Sequence, residues 1–165
     1  MSSVRRGSFV LICGLLWLLL AACGQTQDVA DLLPTEVDGT ARTEFLSGEA
    51  GRHAVNKLHG KSIKVEDAAV ATYGGGHPPA AQVWVSRASN AAEAREQLAV
   101  MVERMLRGPS PFTPPKAERR SGVDVYRTEG LGMVHLLWTR GELAWWVSVL
   151  PEREQAFMAE FLEQE

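Results

Sequence analysis

The sequence predicts an α+β fold, with a mostly antiparallel sheet of about five strands and two to three helices packed on it. Three observations predict this fold. Strand-like runs fall into two groups, one on each side of a proline-rich segment, residues 109–115. The connections within each group are too short for the crossovers of a parallel sheet, so neighbouring strands must be antiparallel. Apolar residues recur at helical spacing between and after the groups, and no strand–helix–strand unit repeats regularly.

The first group is a hairpin. Residues 63–73 and 82–86 are rich in β-branched and aromatic side chains, and the run Gly74–Gly76 with two prolines separates them. Such a cluster between two apolar runs is typical of an antiparallel hairpin. The glycine run lacks the Lys and Ser/Thr of a phosphate-binding loop, so it predicts a flexible hairpin tip. A weaker helical pattern from Ser47 to His59, with Gly60 as its end, precedes the hairpin.

The clearest helical pattern follows the hairpin. Asn90 is suited to cap the helix, and Glu93 stands three residues further on, as in a capping box. Gly108 and Pro109 end the pattern. Its apolar face consists of Ala94, Leu98, Met101, Val102 and Met105. The segment Pro109–Pro115 contains four prolines. Because proline has a fixed φ and no amide donor, this segment predicts an extended crossover along the surface.

The second group contains three strands, residues 122–128, 133–140 and 142–150, with glycines at the turns. Their short connections predict an antiparallel meander. Pro151 suits the first turn of a last helix. The apolar stripe of that helix is Phe157, Met158, Phe161 and Leu162.

The N-terminus has the composition of an export signal. Arg5 and Arg6 precede an apolar run, residues 9–20, and two alanines lead from it to Cys23. A basic head, a short apolar run and a small-residue cleavage region are typical of a secretory signal. The run is shorter than the roughly 20 residues that span a bilayer.

The residues Leu20-Ala21-Ala22-Cys23 resemble the lipobox of bacterial lipoproteins. The resemblance implies that residues 1–22 are removed, that the Cys23 thiol receives a diacylglyceryl group, and that acyl chains such as palmitate anchor the chain outside the cytoplasm. Gly24, where an Asp would favour the inner membrane, implies an outer-membrane, periplasm-facing location in a Gram-negative host. The alternative is an ordinary secretory signal with an incidental cysteine.

These features divide the chain into a signal peptide (1–22), a lipidated tether (23–34) and a single domain (35–165). The domain has about 130 residues, enough for one core. Loss of Arg5 and Arg6 leaves 15 basic against 20 acidic residues, a formal charge of −5. This balance argues against nucleic acid as a partner. The one remaining cysteine, Cys23, is lipidated, which excludes disulfides, thiol catalysis and cysteine metal sites in the domain. The expected partners are membrane lipid and an envelope protein.

Four histidines remain in the domain, and three are candidates for a metal or haem site: His59, His77 and His135. His53 is the fourth, and no pair has the i, i+4 spacing of a helical zinc motif. On its strand, His135 shares a face with Met133, Leu137 and Thr139. Unrelated surface and core-edge histidines are the simpler interpretation, and no cofactor is predicted.

Tryptophan is the other candidate for a binding surface. Trp84, Trp138, Trp145 and Trp146 all fall in predicted strands. The adjacent Trp145 and Trp146 must point to opposite faces of a regular strand. An exposed ring beside Trp138 or Tyr126 would form a stacking platform for a ligand or partner. The alternative is that the proline-rich crossover or the tether covers the rings.

Three functions follow from these residues. The first is a non-enzymatic binding or accessory lipoprotein at the membrane surface. The second is a small-ligand or haem/metal carrier that uses an apolar cleft between sheet and helices. The third is an envelope enzyme, but no nucleophile elbow is present and no catalytic residue is predicted.

Overall fold

The computed structural model describes residues 27–59 and 64–163, so Cys23 and the expected signal peptide lie outside the described residues. Its helices are α1 (Gly48–His59), α2 (Ala91–Arg107) and α3 (Glu154–Leu162). Its strands are β1 (Glu36–Val37), β2 (Thr40–Ser47), β3 (Asp67–Tyr73), β4 (Ala81–Arg87), β5 (Lys116–Arg120), β6 (Val123–Gly130), β7 (Met133–Arg140) and β8 (Leu143–Val149). None of the described helices combines the length and the apolar character needed to cross a bilayer.

All eight strands form one sheet, in the order β1-β2-β3-β4-β8-β7-β6-β5, and every neighbouring pair is antiparallel. The predicted α+β class, with a mostly antiparallel sheet and two to three helices, is therefore confirmed, and the structure has three helices. The expectation of about five strands is too low, because β1, β2 and β5 were not recognised. These three strands lie at the two edges of the sheet. Residues of β2 and β5 are mostly exposed on both faces, so they lack the apolar alternation that marks a half-buried strand.

The segment expected to be a tether begins the fold instead. Val29–Leu32 form a short 3-10 helix, and Val29, Leu32 and Leu33 are buried in the core. The side chain of Asp28 caps this helix by accepting a hydrogen bond of 2.8 Å from the Ala30 amide. The packed domain therefore starts near residue 28 and not at residue 35, because three apolar side chains in this polar stretch find places in the core.

One face of the sheet is covered by α3 and the N-terminal segment. The rings of Trp138 and Trp145 lie there, stacked at 5.6 Å and nearly parallel. Tyr73 packs edge-on against Phe157 and donates a hydrogen bond of 2.9 Å to the Pro34 carbonyl. This ring cluster ties α3 and the N-terminal segment to the centre of the sheet.

The other face is covered by α1 and α2. Helix α1 packs very closely on β3, since a Cβ atom on Gly51 would lie 2.1 Å from the Ala68 carbonyl oxygen. Helix α2 places Leu98, Val102 and Met105 around Leu137, and its predicted cap is confirmed because the Asn90 side chain accepts a hydrogen bond from the Glu93 amide. The two helices cover the middle of this face, but they do not cover the end of the sheet where β6 ends.

The proline-rich crossover from α2 to β5 covers part of that end. Phe112 makes a single antiparallel bridge to Gly130, and the Thr113 amide donates to the Glu129 carbonyl at 2.7 Å. A Cβ on Gly130 would lie 2.5 Å from the Pro111 carbonyl oxygen. The crossover is thus extended, as predicted, and it lies directly on the end of β6.

Candidate functional site

A row of polar side chains crosses the face of the sheet that α1 and α2 cover. Residues that pair directly across six neighbouring strands, from β2 to β6, are Glu44, Thr72, Gln82, Ser148, His135 and Thr128. Directly paired residues of an antiparallel sheet point to the same face, so these six side chains form one continuous row. The next row along the strands is largely apolar and consists of Leu46, Val70, Trp84, Trp146, Leu137 and Tyr126. We call the first of these rows the polar row.

One half of the polar row is buried. His135 and Ser148 are each only 4% exposed, and the His135 Nδ1 lies 2.7 Å from the Ser148 Oγ. The His135 Nε2 lies 3.0 Å from the Gly130 carbonyl oxygen, which can only accept, so Nε2 carries a proton. Burial lowers the pKa of His135, and the hydrogen bond to Gly130 opposes this effect only partly. The imidazole is therefore neutral, with Nδ1 as its acceptor.

The crossover seals this buried half. The Phe112 ring packs edge-on against the His135 ring at 4.7 Å and against the Trp146 ring at 6.0 Å. The Trp146 indole N–H donates to the His135 Nδ1 at 3.3 Å, and the Thr128 hydroxyl bonds to Thr113 of the crossover. Both ring nitrogens of His135 are thus occupied by protein groups beneath an aromatic lid.

The other half of the polar row is open. Glu44, Thr72 and Gln82 form the floor of a cavity of about 330 Å³, and the loop from Gly74 to Pro79 forms its wall. The Thr72 hydroxyl donates to the Glu44 carboxylate at 3.4 Å, and the Gln82 amide donates to the Thr72 hydroxyl at 3.4 Å. We call this cavity the polar groove. It is bounded by hydrogen-bonding groups and lies at the hairpin tip that the sequence predicted.

The Gly74–Gly76 run makes the wall of the groove possible. Gly74 and Gly76 have φ values of +72° and +118°, which side chains other than glycine rarely adopt. A Cβ on Gly74 would also lie 2.9 Å from the Ala80 Cβ. The loop can therefore adopt this conformation only because Gly74 and Gly76 carry no side chains.

Comparisons with protein families, with curated proteins and with solved structures found no match for this chain. What the domain binds has to be inferred from its own side chains.

Two of the three candidate histidines, His77 and His135, have described side chains, and these two do not meet as a metal site. His135 bonds to Ser148, Gly130 and Trp146, while His77 lies exposed in the wall of the polar groove. His59 is the last residue of α1, and its side chain lies outside the described residues. Among the residues that the structure describes, no group of three or more His, Cys, Asp or Glu side chains is placed to hold a metal ion.

The tryptophans lie on opposite faces, as predicted, but are covered. Trp138 and Trp145 are buried beneath α3, so neither ring is available to a ligand at the surface. Trp146 is half-buried, with Phe112 on one side and Trp84 at 5.9 Å on the other. Tyr126 is also half-buried, against the core of α2. The stacking platform considered from the sequence is therefore occupied by the crossover and α2.

A charged cluster that sequence patterns did not reveal lies on the α3 face. The carboxylate of Glu154 accepts hydrogen bonds from Arg120 at 2.6 Å and from Arg127 at 3.1 Å, and Arg127 also bonds to Glu129. Burial raises the pKa of Glu154, but the two arginines outweigh it and hold the pKa below its usual value. Both arginines are engaged, so we interpret the cluster as a clamp that fixes the start of α3 to β5 and β6.

Proposed function

We propose that this protein is a lipoprotein, anchored by acylated Cys23, whose extracytoplasmic domain binds a ligand or envelope component through the polar groove without catalysing a reaction. The lipobox-like residues Leu20–Cys23 support the anchor. The open, hydrogen-bonding groove supports binding. The position of the groove relative to Gln27, the first described residue after Cys23, is the observation that carries the proposal.

The chain enters the fold at the end of the sheet that is opposite the groove. The Gln27 carbonyl accepts a hydrogen bond of 2.6 Å from Arg87, the last residue of β4, whereas Gln82 of the groove is near the first residue of β4. Seven residues of strand separate these ends by about 20 Å. The chain from Cys23 to Gln27 reaches at most about 14 Å. An acyl anchor at Cys23 would hold the entry end close to the bilayer and turn the groove away from it.

The buried Ser148–His135 pair argues for binding rather than hydrolysis. A serine nucleophile needs an accessible hydroxyl and a histidine whose second nitrogen is oriented by an acid. Ser148 is buried, and the second nitrogen of His135 donates to the Gly130 carbonyl. The pair instead holds the ends of β6, β7 and β8 together beneath the crossover.

The carrier function gains no support from the cleft between the helices and the sheet. That cleft, lined by Val55, Trp84, Met101 and Trp146, has a volume of about 20 Å³. Small-molecule and cofactor sites have about 300–1,000 Å³. The polar groove reaches this range, as do a cavity of about 440 Å³ beside Arg120 and one of about 560 Å³ beside Arg127. Both of these arginines are paired with carboxylates, so we place the binding site in the polar groove.

The anchor is tested by metabolic labelling with a fatty acid in a bacterial host. The full chain and its Cys13→Ser variant should be labelled, shortened by signal cleavage and recovered with membranes. The Cys23→Ser variant should be neither labelled nor cut before residue 23, because the acylated sulfur is absent. Cys13 is a matched control, since it lies within the apolar run that is removed. Labelling of Cys23→Ser at the level of the unmodified chain would overturn the proposal.

A further inference from the structure

We infer that the polar groove takes a small hydroxylated ligand that carries a positively charged amino group, the chemistry of an amino sugar. The inference rests on the proposed binding function and adds the class of ligand to it.

The charged groups that line the groove indicate which charge a ligand should carry. Glu44 is the one carboxylate in the floor, and the described residues that line the groove include neither lysine nor arginine. Arg42, two residues from Glu44, lies on the other face, where its guanidinium stacks 3.9 Å over the Phe45 ring and bonds to the Leu33 carbonyl. A β-bulge between Arg42 and Glu44 separates their side chains in this way. The other titratable group of the lining is the exposed His77 imidazole, so an anion would meet Glu44 without a fixed cation to compensate, whereas an ammonium group would find a counter-charge.

The hydrogen bonds in the floor are long. In the described part of the chain, Glu44 accepts one hydrogen bond, from Thr72 at 3.4 Å, and Thr72 accepts one from Gln82 at the same distance. Bonds of this length are weak compared with the usual 2.7–3.0 Å. A ligand that offers an ammonium group to Glu44 and hydroxyls to Thr72 and Gln82 would form shorter bonds with each. This pattern of one cation among several hydroxyls defines the ligand class.

The volume and the wall limit the ligand size. A cavity of about 330 Å³ lies at the lower end of the range for small-molecule sites. The space beside Gly75 is open, since a Cβ placed there would meet nothing within 4 Å. The groove thus suits a ligand of about one ring, with polar groups around its edge.

Three monosaccharides that share one ring and differ in charge test the inference: glucosamine, glucose and glucose 6-phosphate. The mature chain is purified in a polyoxyethylene detergent, because a maltoside would itself present sugars, and each monosaccharide is titrated while its binding is followed by NMR. We expect glucosamine to bind about fivefold more tightly than glucose, the effect of one charge pair near the surface. Glucose 6-phosphate should bind more weakly than both.

Two exposed carboxylates provide the matched variants. Glu44→Gln should reduce the affinity for glucosamine to that for glucose, whereas Glu36→Gln on β1, outside the groove, should leave the fivefold preference unchanged. Equal or tighter binding of glucose 6-phosphate would overturn the ligand class. So would a preference for glucosamine that survives Glu44→Gln.

The same titration separates this inference from the proposed function. If glucose and glucosamine bind equally and Gln82→Ala abolishes both, the groove is a binding site and only the amino-group requirement fails. If none of the three sugars binds at up to about 50 mM, a concentration that detects very weak sites, the ligand class is overturned. In either case, fatty-acid labelling of Cys23 still decides the anchor separately.

Discussion

Replacement of His135 by alanine should destabilise the domain strongly, although His135 touches no ligand in the proposed function. The imidazole accepts hydrogen bonds from Ser148 and Trp146 and donates one to the Gly130 carbonyl. The Phe112 ring packs edge-on against it. Alanine leaves the buried Ser148 hydroxyl and the half-buried Gly130 carbonyl without their histidine partner, at about 1–3 kcal/mol for each group, with Gly130 at the lower end. Trp146 is half-buried, so its indole N–H can donate to water once the His135 acceptor is removed, and we assign little of the lost stability to it.

We therefore expect His135→Ala to lower the free energy of unfolding by about 3 kcal/mol. The measurement is urea unfolding of the mature chain at pH 7.5, followed by tryptophan fluorescence. His53→Ala is the matched control, because His53 is exposed on α1, and it should change the free energy by less than about 0.5 kcal/mol. A double-mutant cycle with Ser148→Ala should give a coupling energy of about 1 kcal/mol. If His135→Ala is no more destabilising than His53→Ala, the buried half of the polar row does not hold the crossover as we infer.

Three further predictions concern stability and pH. Burial lowers the pKa of His135 below the unfolded value of about 6.5, so the unfolded chain binds the proton first and stability should fall as the pH drops below about 6.5. Urea unfolding at pH 7.5 and 5.5 should show a smaller loss of stability for His135→Ala than for the unmodified chain. Equal losses would contradict the lowered pKa of His135. Gly51→Ala should lower the free energy of unfolding by at least about 2 kcal/mol in the same assay, because its Cβ would lie 2.1 Å from the Ala68 carbonyl oxygen. Gly75→Ala is the control and should be nearly neutral, because the space beside Gly75 is open. Equal effects of the two substitutions would refute the close packing of α1 on β3. Glu154→Gln should lower the free energy of unfolding by about 2 kcal/mol near neutral pH, with exposed Glu152→Gln as the control. Because the pKa of Glu154 is lowered, the difference in stability between Glu154→Gln and the unmodified chain should shrink as the pH falls below about 4. A difference that does not depend on pH would count against the clamp.

The interior of the fold was predictable because interior strands are apolar and paired through short turns. The expected strand at residues 133–140 coincides with β7, and the capped helix after Asn90 coincides with α2. The edge strands β2 and β5 escaped recognition for a physical reason. Residues of an edge strand need not bury a face, and the sequence of β5, Lys116–Arg120, carries four charges in five residues. Charged edges of this kind are a common protection against unwanted strand pairing.

The polar row was beyond prediction because it depends on pairing between distant segments. The face of His135 on β7 follows from alternation alone, but its alignment with Gln82 requires the β4–β8 pairing between the two groups of strands. Glu44 lies on a strand that sequence patterns did not reveal. The burial of Trp138 and Trp145 similarly depends on where α3 and the segment from Val29 pack. Local patterns specify which side of a strand a residue occupies, and tertiary packing decides what covers it.

Mass spectrometry of the mature chain, recovered from the membranes of a bacterial host, tests the anchor most directly. We predict that the first residue is Cys23, that its sulfur carries a diacylglyceryl group, and that peptides from residues 1–22 are missing from the mature form. A mature chain that still contains Arg6, or one in which the Cys23 sulfur is an unmodified thiol, would contradict the lipoprotein assignment.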